Sequence, residues 1–271
     1  MTPEEFRLNN TLIQTMEDSY NCPRKWSEVF IYKTAEGFSS PAMERGVYFE
    51  TMCLGSGVQG KVVDDLPRLK NGEKSAIQKR IDYQVEAFKE MFNPDSSEYL
   101  GLKIIATDVY LDNGKEKGTI DFIVESTSEW EHGEGLIYHA DLKLTGDMEA
   151  THRWSWKDPT KKDLNQQYHY QNLWEDMGND PVEGSLLFVF DYTPSKRKMI
   201  IELSNDPDKR EFARERASGC WEVISLYEDR GEYPTDPSER QCGECSVKDC
   251  SSRFVKDEEE EQIEEVRRFK L

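Results

Sequence analysis

The chain has 271 residues, of which a third are charged, and a formal net charge of −19. No run of about 18 apolar residues occurs, so neither a transmembrane helix nor a membrane partner is expected. The N-terminus lacks a basic segment followed by an apolar one, which argues against a secretory signal and predicts a cytoplasmic location. In that reducing compartment the six cysteines are expected as thiols or metal ligands rather than as disulfides.

The excess of acidic residues argues against simple electrostatic capture of nucleic acid, which normally requires a basic surface. Part of the negative charge lies near the C-terminus, where residues 257–261 are consecutive acids. Two basic clusters also occur, one at Lys157, Lys161 and Lys162 and one at Lys196, Arg197 and Lys198. The composition therefore weakens a nucleic-acid function without excluding it.

Residues 8–33 are predicted to be helical, with a turn at Cys22-Pro23 where a second helix begins. Cys22 fits either a small buried hydrophobic side chain or a ligand. Residues 41–54 are predicted to form the next helix, with Gly46 and Glu50 on one face. A glycine costs helix stability, so we expect close packing at Gly46 to compensate. Glu50 would then either lie at that packing contact or be an ordinary solvated glutamate.

Residues 55–72 contain glycines and prolines and are predicted to be a loop, and residues 73–92 a covering helix with an apolar stripe. Residues 102–111 are predicted to be a strand, which ends at the hairpin signal Asp112-Asn113-Gly114. Residues 118–147 are predicted to be two further strands joined by an acidic, glycine-containing loop.

Alternation along these two strands places Asp121 on one face of the first, and His139, Asp141 and Lys143 on one face of the second. If the strands pair, Asp121 lies near Asp141 and Lys143. Two carboxylates and an ammonium group can bind a hard divalent cation and a phosphate ester. An exposed hairpin with charges on its solvated face explains the same pattern, so this segment alone leaves both interpretations open.

The C-terminal half begins with a polar segment, residues 148–163, which contains Trp154, Trp156 and three lysines. This segment could stack on nucleic-acid bases or be a plain surface loop. Residues 163–177 are predicted to be a helix with Asp163 as its N-cap, and Gln166 and Tyr170 lie four apart on one of its faces. The remaining predicted elements are a strand buried on both faces at 185–192, its hairpin partner at 199–203, and a long amphipathic helix at 207–230 that contains Cys220 as a core residue.

Cys242, Cys245 and Cys250 form a Cys-x2-Cys-x4-Cys pattern. Three thiolates this close in an intracellular chain indicate a metal or iron–sulfur site, which needs a fourth ligand. Among the other cysteines, only Cys22 lies at a turn with a following proline. Such a site would join the two ends of the chain and make residues 1–271 a single domain. The alternative is a ligand-free tail with unrelated cysteines.

Taken together, these residues resemble the RecB-type branch of the PD-(D/E)XK nuclease superfamily. Within that branch they most resemble the iron–sulfur members, which include CRISPR-associated four-cysteine exonucleases and AddB-type nuclease domains. The motifs that match, from about residue 10 to residue 253, are Cys22-Pro23, Gly46-x3-Glu50, Gly118 to Asp121, Asp141 to Lys143, Gln166 to Tyr170, and the triplet Cys242, Cys245 and Cys250. Many relatives carry histidine where this chain has Glu50, although some superfamily members use glutamate there.

The resemblance implies an α/β fold with a central mixed β-sheet flanked by helices, a restriction-endonuclease-like core. It also implies an N-terminal helical region with Cys22 at 1–40, a core at 41–205 with a helical insertion near 73–92, a C-terminal helix and cysteine cluster at 206–253, and an acidic tail at 254–271.

The implied activity is that of a metal-dependent DNA exonuclease acting on single-stranded or free ends. Asp121, Asp141, Glu50 and the carbonyl of Leu142 would hold Mg²⁺ or Mn²⁺, Lys143 would orient the attacking water, and Gln166 and Tyr170 would position the strand. Cys22, Cys242, Cys245 and Cys250 would hold a structural [4Fe-4S] cluster, with Zn²⁺ as the alternative. Protein partners would belong to a recombination, repair, or phage- or CRISPR-related pathway.

Two other functions compete with the nuclease. The acidic surface and the glutamate at position 50 favour a catalytically weak DNA-binding or adaptor subunit. The cysteine cluster by itself would fit an electron-transfer protein, but the distant fourth cysteine and the carboxylate–lysine set argue against that.

Overall fold

The structure is a computed structural model, and it describes residues 6–18, 21–37, 39–55, 61–146, 148, 156, 158–159, 162–235, 242, 245–247 and 250. The predicted acidic tail at 254–271 lies outside this range, as do Trp154, Lys157 and Lys161 of the polar segment. The chain divides into two compact units, one formed by Met1–Phe38 with Arg216–Leu271 and the other by Ser39–Glu215. The prediction of a single domain stays a prediction.

The unit Ser39–Glu215 is built on a five-stranded mixed sheet with the strand order β1-β2-β3-β4-β5. Its strands are β1 Leu102–Asp112, β2 Lys117–Ser126, β3 Ile137–Thr145, β4 Gly184–Asp191 and β5 Lys198–Ser204. The neighbours β3 and β4 are parallel, whereas the other three pairs are antiparallel. The α/β fold with a central mixed sheet flanked by helices is therefore confirmed.

The helices of this unit cover both faces of the sheet. They are α3 Pro41–Leu54, α4 Ala76–Met91, α5 Asn165–Asp176 and the start of α6 Pro207–Arg230. The helices α3 and α4 pack on one face, over a core that includes Phe122, Leu142 and Phe188. The helix α5 packs on the other face, against Leu111, Ile120 and Ile123. Strand β4 is buried at every position because it lies inside the sheet with both faces covered.

The unit formed by the two chain ends contains α1 Asn10–Glu17, α2 Pro23–Trp26, a π-helical turn at Ser27–Ile31, and the C-terminal part of α6. Its core consists of Phe6, Leu8, Leu12, Ile13, Trp26, Ile31, Ala217, Cys220, Ile224 and Tyr233. Burial of Cys220 among these side chains confirms its prediction as a core residue. None of the helices in the described part of the chain is long and apolar enough to span a membrane.

Three local predictions are wrong. The predicted helix at 8–33 is broken into α1, α2 and the π-helical turn. The N-cap position of α5 is Leu164 rather than Asp163, whose carboxylate instead accepts a hydrogen bond from Asn165 N at 3.1 Å. A Cβ added at Gly46 would have no described atom within 4 Å, so close packing does not account for the glycine.

Candidate active site

The strands β2 and β3 separate at the two predicted aspartates. Their ladder runs from Glu125 opposite Ile137 to Phe122 opposite Ala140 and continues no further. At the next position Asp121 Oδ2 accepts the backbone N–H of Leu142 at 2.8 Å. The carboxylate of Asp121 thus accepts the N–H of Leu142, which in a regular sheet would donate to a backbone carbonyl of the neighbouring strand. The pairing of the two strands ends there, and the charges of Asp121 and Asp141 are close enough to act on each other.

The alternation of side chains along β2 also changes at Asp121. Both Ile120 and Ile123 pack into the cluster under α5, whereas Phe122 packs under α3 and α4. In an undisturbed strand Ile120 and Phe122 would share a face. Strict alternation, as the sequence suggested, therefore holds on each side of Asp121 but not across it.

Asp141 and Lys143 form an ion pair on one face of β3. Lys143 Nζ donates to Asp141 Oδ1 at 2.9 Å and lies 2.7 Å from Oδ2. The Asp141 side chain is only 4% exposed, and both of its oxygens lie within 2.9 Å of the Lys143 ammonium group. The charge of this buried carboxylate is therefore compensated by a cation of the protein.

Glu50 is buried on α3 and belongs electrostatically to the same site. Burial raises the pKa of Glu50 to about 8, and the charges of Asp121 and Asp141 act in the same direction while Lys143 opposes them. Burial also raises the pKa of Asp121 to about 7, with Asp141 adding to the effect. Burial disfavours the charge of Lys143, but Asp141 and Asp121 outweigh this and raise its pKa. Burial and mutual repulsion therefore keep these acids from all ionising together at neutral pH unless a further cation offsets their charges.

Tyr170 and Gln166 reach the site from α5. Gln166 Nε2 donates to the Tyr170 hydroxyl at 2.7 Å, as their spacing of four residues allows. Burial raises the pKa of Tyr170 to about 12, and Asp121 and Asp141 act in the same direction. The Tyr170 ring lies against Gly118, where an added Cβ would be only 2.4 Å from Tyr170 Cε1. Gly118, the glycine of the Gly-x-x-Asp motif, therefore leaves room for Tyr170, the tyrosine of the Gln-x3-Tyr motif.

His139 is wholly buried and does not join the charged groups. Its ring packs edge-on against Trp174 at 5.2 Å between centroids, and neither nitrogen has a hydrogen-bond partner in the described structure. Burial lowers the pKa of His139 to about 3, so its imidazole is neutral. We therefore assign it to the packing between β3 and α5.

The residues brought together suit a hard divalent cation. They offer three carboxylates and a backbone carbonyl at Leu142, which are the oxygen ligands that Mg²⁺ and Mn²⁺ prefer. The carboxylate oxygens are not yet at ligand spacing. Among described residues, only the exposed group Glu131, His132 and Glu202 has three ligand atoms within 4.8 Å of one another.

The cysteine region belongs to the unit formed by the chain ends. The backbone N–H of Arg24 donates to Pro234 O at 3.1 Å, and Ser246 Oγ donates to Glu36 O at 2.7 Å. Val247 is buried there. Ser246, next to Cys245, thus contacts Glu36, and Arg24, two residues after Cys22, contacts Pro234.

The cysteines at positions 22, 242, 245 and 250 are partly buried. No three of their sulfur atoms lie within 4.8 Å of one another. Tetrahedral zinc would need sulfur atoms about 3.8 Å apart. The described thiols are therefore gathered in one unit without being at zinc-ligand spacing.

Sequence reasoning missed one acidic residue of the site, Asp108 on β1. Its charge acts on both Glu50 and Asp121, and its backbone is left-handed with a φ of 51°. A signal was present, since an aspartate in the middle of a strand is unfavourable. Without the pairing of β1 with β2, however, nothing related it to Asp121.

Comparison with known proteins supports the fold. No protein-family model matches the chain, and no curated protein matches its sequence. Among solved structures, it is similar to the crystal structure of a "Putative exonuclease" from Eubacterium rectale, with a TM-score of 0.58 and 17% sequence identity. The match covers 94% of this chain and 90% of that one. At this identity the likeness shows that the two chains share a fold.

Proposed function

We propose that the protein is a divalent-metal-dependent nuclease that hydrolyses DNA phosphodiester bonds. The observation that carries this proposal is that two carboxylates and Lys143 come together where the pairing of β2 and β3 ends, at Asp121 and Asp141. The similar fold of a protein named as an exonuclease gives further support. Action on single-stranded or free ends, as an exonuclease, is the mode implied by the resemblance to iron–sulfur RecB-type enzymes.

The residues of the site divide the chemistry among them. Asp121, Asp141 and Glu50, with the carbonyl of Leu142, would hold Mg²⁺ or Mn²⁺. When bound, such an ion polarises the scissile phosphate and lowers the pKa of the attacking water. Asp121 keeps its orientation through the Leu142 N–H, and Asp141 keeps Lys143 in place through their ion pair. This arrangement limits the freedom of both carboxylates before substrate binds.

Lys143 would act at the scissile phosphate. Its pKa is raised, so it stays protonated at neutral pH and can donate hydrogen bonds to the attacking water and to a phosphate oxygen. It is also the only cation whose charge acts on Glu50 and Asp121 in the site. Tyr170 keeps its proton because its pKa is about 12. Its hydroxyl, held by Gln166, is available to position the nucleic-acid strand.

We propose that Cys22, Cys242, Cys245 and Cys250 hold a [4Fe-4S] cluster with a structural role, and that Zn²⁺ is the alternative occupant. The support is the Cys-x2-Cys-x4-Cys pattern, together with two hydrogen bonds between the chain ends, from Arg24 N to Pro234 O and from Ser246 Oγ to Glu36 O. A cluster there would fix the two chain ends to each other.

A nuclease assay of the full-length protein tests the main proposal. With Mn²⁺ it should degrade end-labelled DNA, and Asp141→Ala or Lys143→Ala should lower the rate by at least about 100-fold. Lys103→Ala is the matched control, because that lysine is exposed on β1 and away from the charged groups of the site. Undiminished cleavage by both site variants would refute the assignment.

The same assay separates the nuclease from the alternative of a catalytically weak DNA-binding or adaptor subunit. That alternative is favoured by the net charge of −19 and by glutamate in place of histidine at position 50. It predicts that the wild-type protein retains labelled DNA in a filter-binding measurement but releases no nucleotides at any Mn²⁺ concentration.

A further inference from the structure

Two cations lie on tyrosine rings around the turn between β4 and β5. The guanidinium group of Arg45, on α3, lies 5.6 Å from the centre of the Tyr192 ring and donates a hydrogen bond to the Tyr192 hydroxyl at 3.3 Å. Further along the turn, Lys196 Nζ lies 4.0 Å from the centre of the ring of Tyr83, on α4. Contacts of this kind attract a cation to the face of the ring. These four residues form what we call the turn surface.

Neither cation of the turn surface has a carboxylate within 4.0 Å among the residues that the structure describes. Acidic side chains do pair with five other arginines, which are Arg24, Arg68, Arg210, Arg214 and Arg216. They also pair with Lys198, which follows the turn. In a chain with a net charge of −19, cations left without an acidic partner are available to an anionic ligand. Arginine and lysine are the side chains that bind phosphate groups.

Hydrogen bonds hold the turn in one conformation. Asp191, at the end of β4, is only 1% exposed and accepts three of them: from Thr193 N at 2.6 Å, from Thr193 Oγ1 at 2.7 Å and from Ser195 Oγ at 2.7 Å. The backbone N–H of Tyr192 donates to Thr145 O at 3.1 Å, which fixes the tyrosine to the end of β3. The turn surface is therefore ordered before a ligand binds.

The turn surface lies close to the proposed catalytic residues along two elements. In the parallel pair of β3 and β4, Lys143 lies opposite Val189, and Tyr192 follows three residues later, roughly 10 Å along the strand. On α3, Arg45 precedes Glu50 by five residues, which is about 7.5 Å along the helix axis. Phosphates of one DNA strand follow each other at about 3.4 Å along a duplex axis. A strand with its scissile phosphate at Lys143 would therefore reach the turn surface within a few nucleotides.

We propose that the turn surface binds the sugar–phosphate backbone of the DNA strand that enters the catalytic site. Arg45 and Lys196 contact phosphates that flank the scissile bond, and the two tyrosine rings hold these cations in position. Contacts to phosphate carry no sequence information, so this binding is independent of base sequence. The assignment rests on the proposed nuclease function, because it gives the same substrate a second point of contact. It also locates the positive surface that DNA binding needs in an acidic chain.

Fluorescence anisotropy of a labelled single-stranded oligodeoxynucleotide tests the assignment, with the full-length protein and no divalent metal. Arg45→Gln and Lys196→Gln should each weaken binding by about threefold or more, and the slope of log K against log salt concentration should become shallower by about 0.7 for each cation removed. Arg45→Lys keeps the charge and should keep the slope, which a merely structural role would not predict. Lys209→Gln is the matched control, because Lys209 also lies over a tyrosine ring, that of Tyr168, but is paired with Asp206.

The outcomes separate this assignment from the nuclease function. Unchanged affinity and unchanged salt slope in Arg45→Gln and Lys196→Gln would overturn the turn surface as a DNA-binding site, even for a wild-type protein that cleaves DNA. Because Lys196 is exposed, its replacement should leave the fold intact. Asp141→Asn should abolish cleavage with Mn²⁺ and keep the metal-free binding of DNA. Undiminished cleavage by Asp141→Asn would refute the nuclease site alone, and a wild-type protein that binds no DNA at low salt would refute both.

Discussion

Gly118 and Tyr170 are separated by 51 residues in the chain, yet each determines the position of the other. Replacing Gly118 by alanine would place a Cβ 2.4 Å from Tyr170 Cε1 and 2.8 Å from Cδ1. Carbon atoms in contact are normally about 3.5–4.0 Å apart, so the ring has to move by roughly 1 Å. Overpacking of this kind costs about 1–3 kcal/mol, from which up to about 1 kcal/mol is regained because alanine suits a strand better than glycine.

Urea unfolding of four proteins measures this coupling: the wild type, Gly118→Ala, Tyr170→Leu and the double variant. Leucine lacks the ring atoms that the new Cβ would meet, so Gly118→Ala should be neutral or slightly stabilising in the Tyr170→Leu background. The expected coupling energy is therefore about 1–2 kcal/mol. Gly46→Ala is the control, since open space surrounds that helical glycine and alanine should stabilise by about 1 kcal/mol.

Two results would refute this reasoning. One is a Gly118→Ala variant that is more stable than the wild type by about 1 kcal/mol, because the ring would then move without cost and only the gain from alanine would remain. The other is an equal loss in both backgrounds, because the cost would then arise elsewhere. Movement of Tyr170 would also break its 2.7 Å hydrogen bond with Gln166. If the proposed nuclease function holds, Gly118→Ala should lower kcat under conditions in which the variant is fully folded.

Three further predictions concern other parts of the chain. Gly184→Ala should destabilise by more than Gly118→Ala, measured by urea unfolding, because its Cβ would lie 2.2 Å from the backbone oxygen of Leu203, which cannot rotate away. Hydrogen bonds from Gln78 and Arg68 lower the pKa of Asp65. Asp65→Asn should therefore be less stable than the wild type above about pH 4, and this difference should vanish as the pH falls further. An equal difference at pH 7 and pH 3 would contradict this. Anaerobically purified protein should be brown, with a broad absorption band on the order of 400 nm. Cys22→Ser should remove this band, and the control Cys53→Ala should keep it. A colourless protein that contains zinc would identify the alternative metal.

The sheet could be predicted because its strands differ in how they are covered. The continuous apolar run at 185–192 has no polar side, which fits β4 with helices over one face and the cluster around Met148 and Leu187 over the other. The segments at 102–111 and 118–126, which mix polar and apolar residues, fit β1, at the edge of the sheet, and β2, whose side chains are only partly buried at several positions. The apolar patterns of the strands therefore predicted the sheet, and the helical periodicity of residues 76–91 predicted α4.

The details of the site could not be predicted for a different reason. Periodicity assumes an undisturbed backbone, whereas Asp121 takes the N–H of Leu142 and parts the strands. The left-handed conformation of Asp108 likewise breaks the pattern by which its side chain would have been placed. Glu50 was open to interpretation as a solvated residue, and only tertiary packing shows it to be buried. Each failure lies where a polar side chain competes with regular structure, and these places make up the site.

The burial of acidic groups gives the last link between fold and function. A core that served stability alone would not gather Glu50, Asp121 and Asp141 where burial raises the pKa of two of them to about 7 or above. The surrounding packing, with Phe122 and Leu142 under α3 and α4 and Leu173 of α5 against the other face of the sheet, holds the acids in place against their repulsion. Bound cations would replace that repulsion with attraction, so the free energy of unfolding should increase as the metal-ion concentration increases. The site is thus placed where the sheet is rigid enough to hold like charges close before any metal arrives.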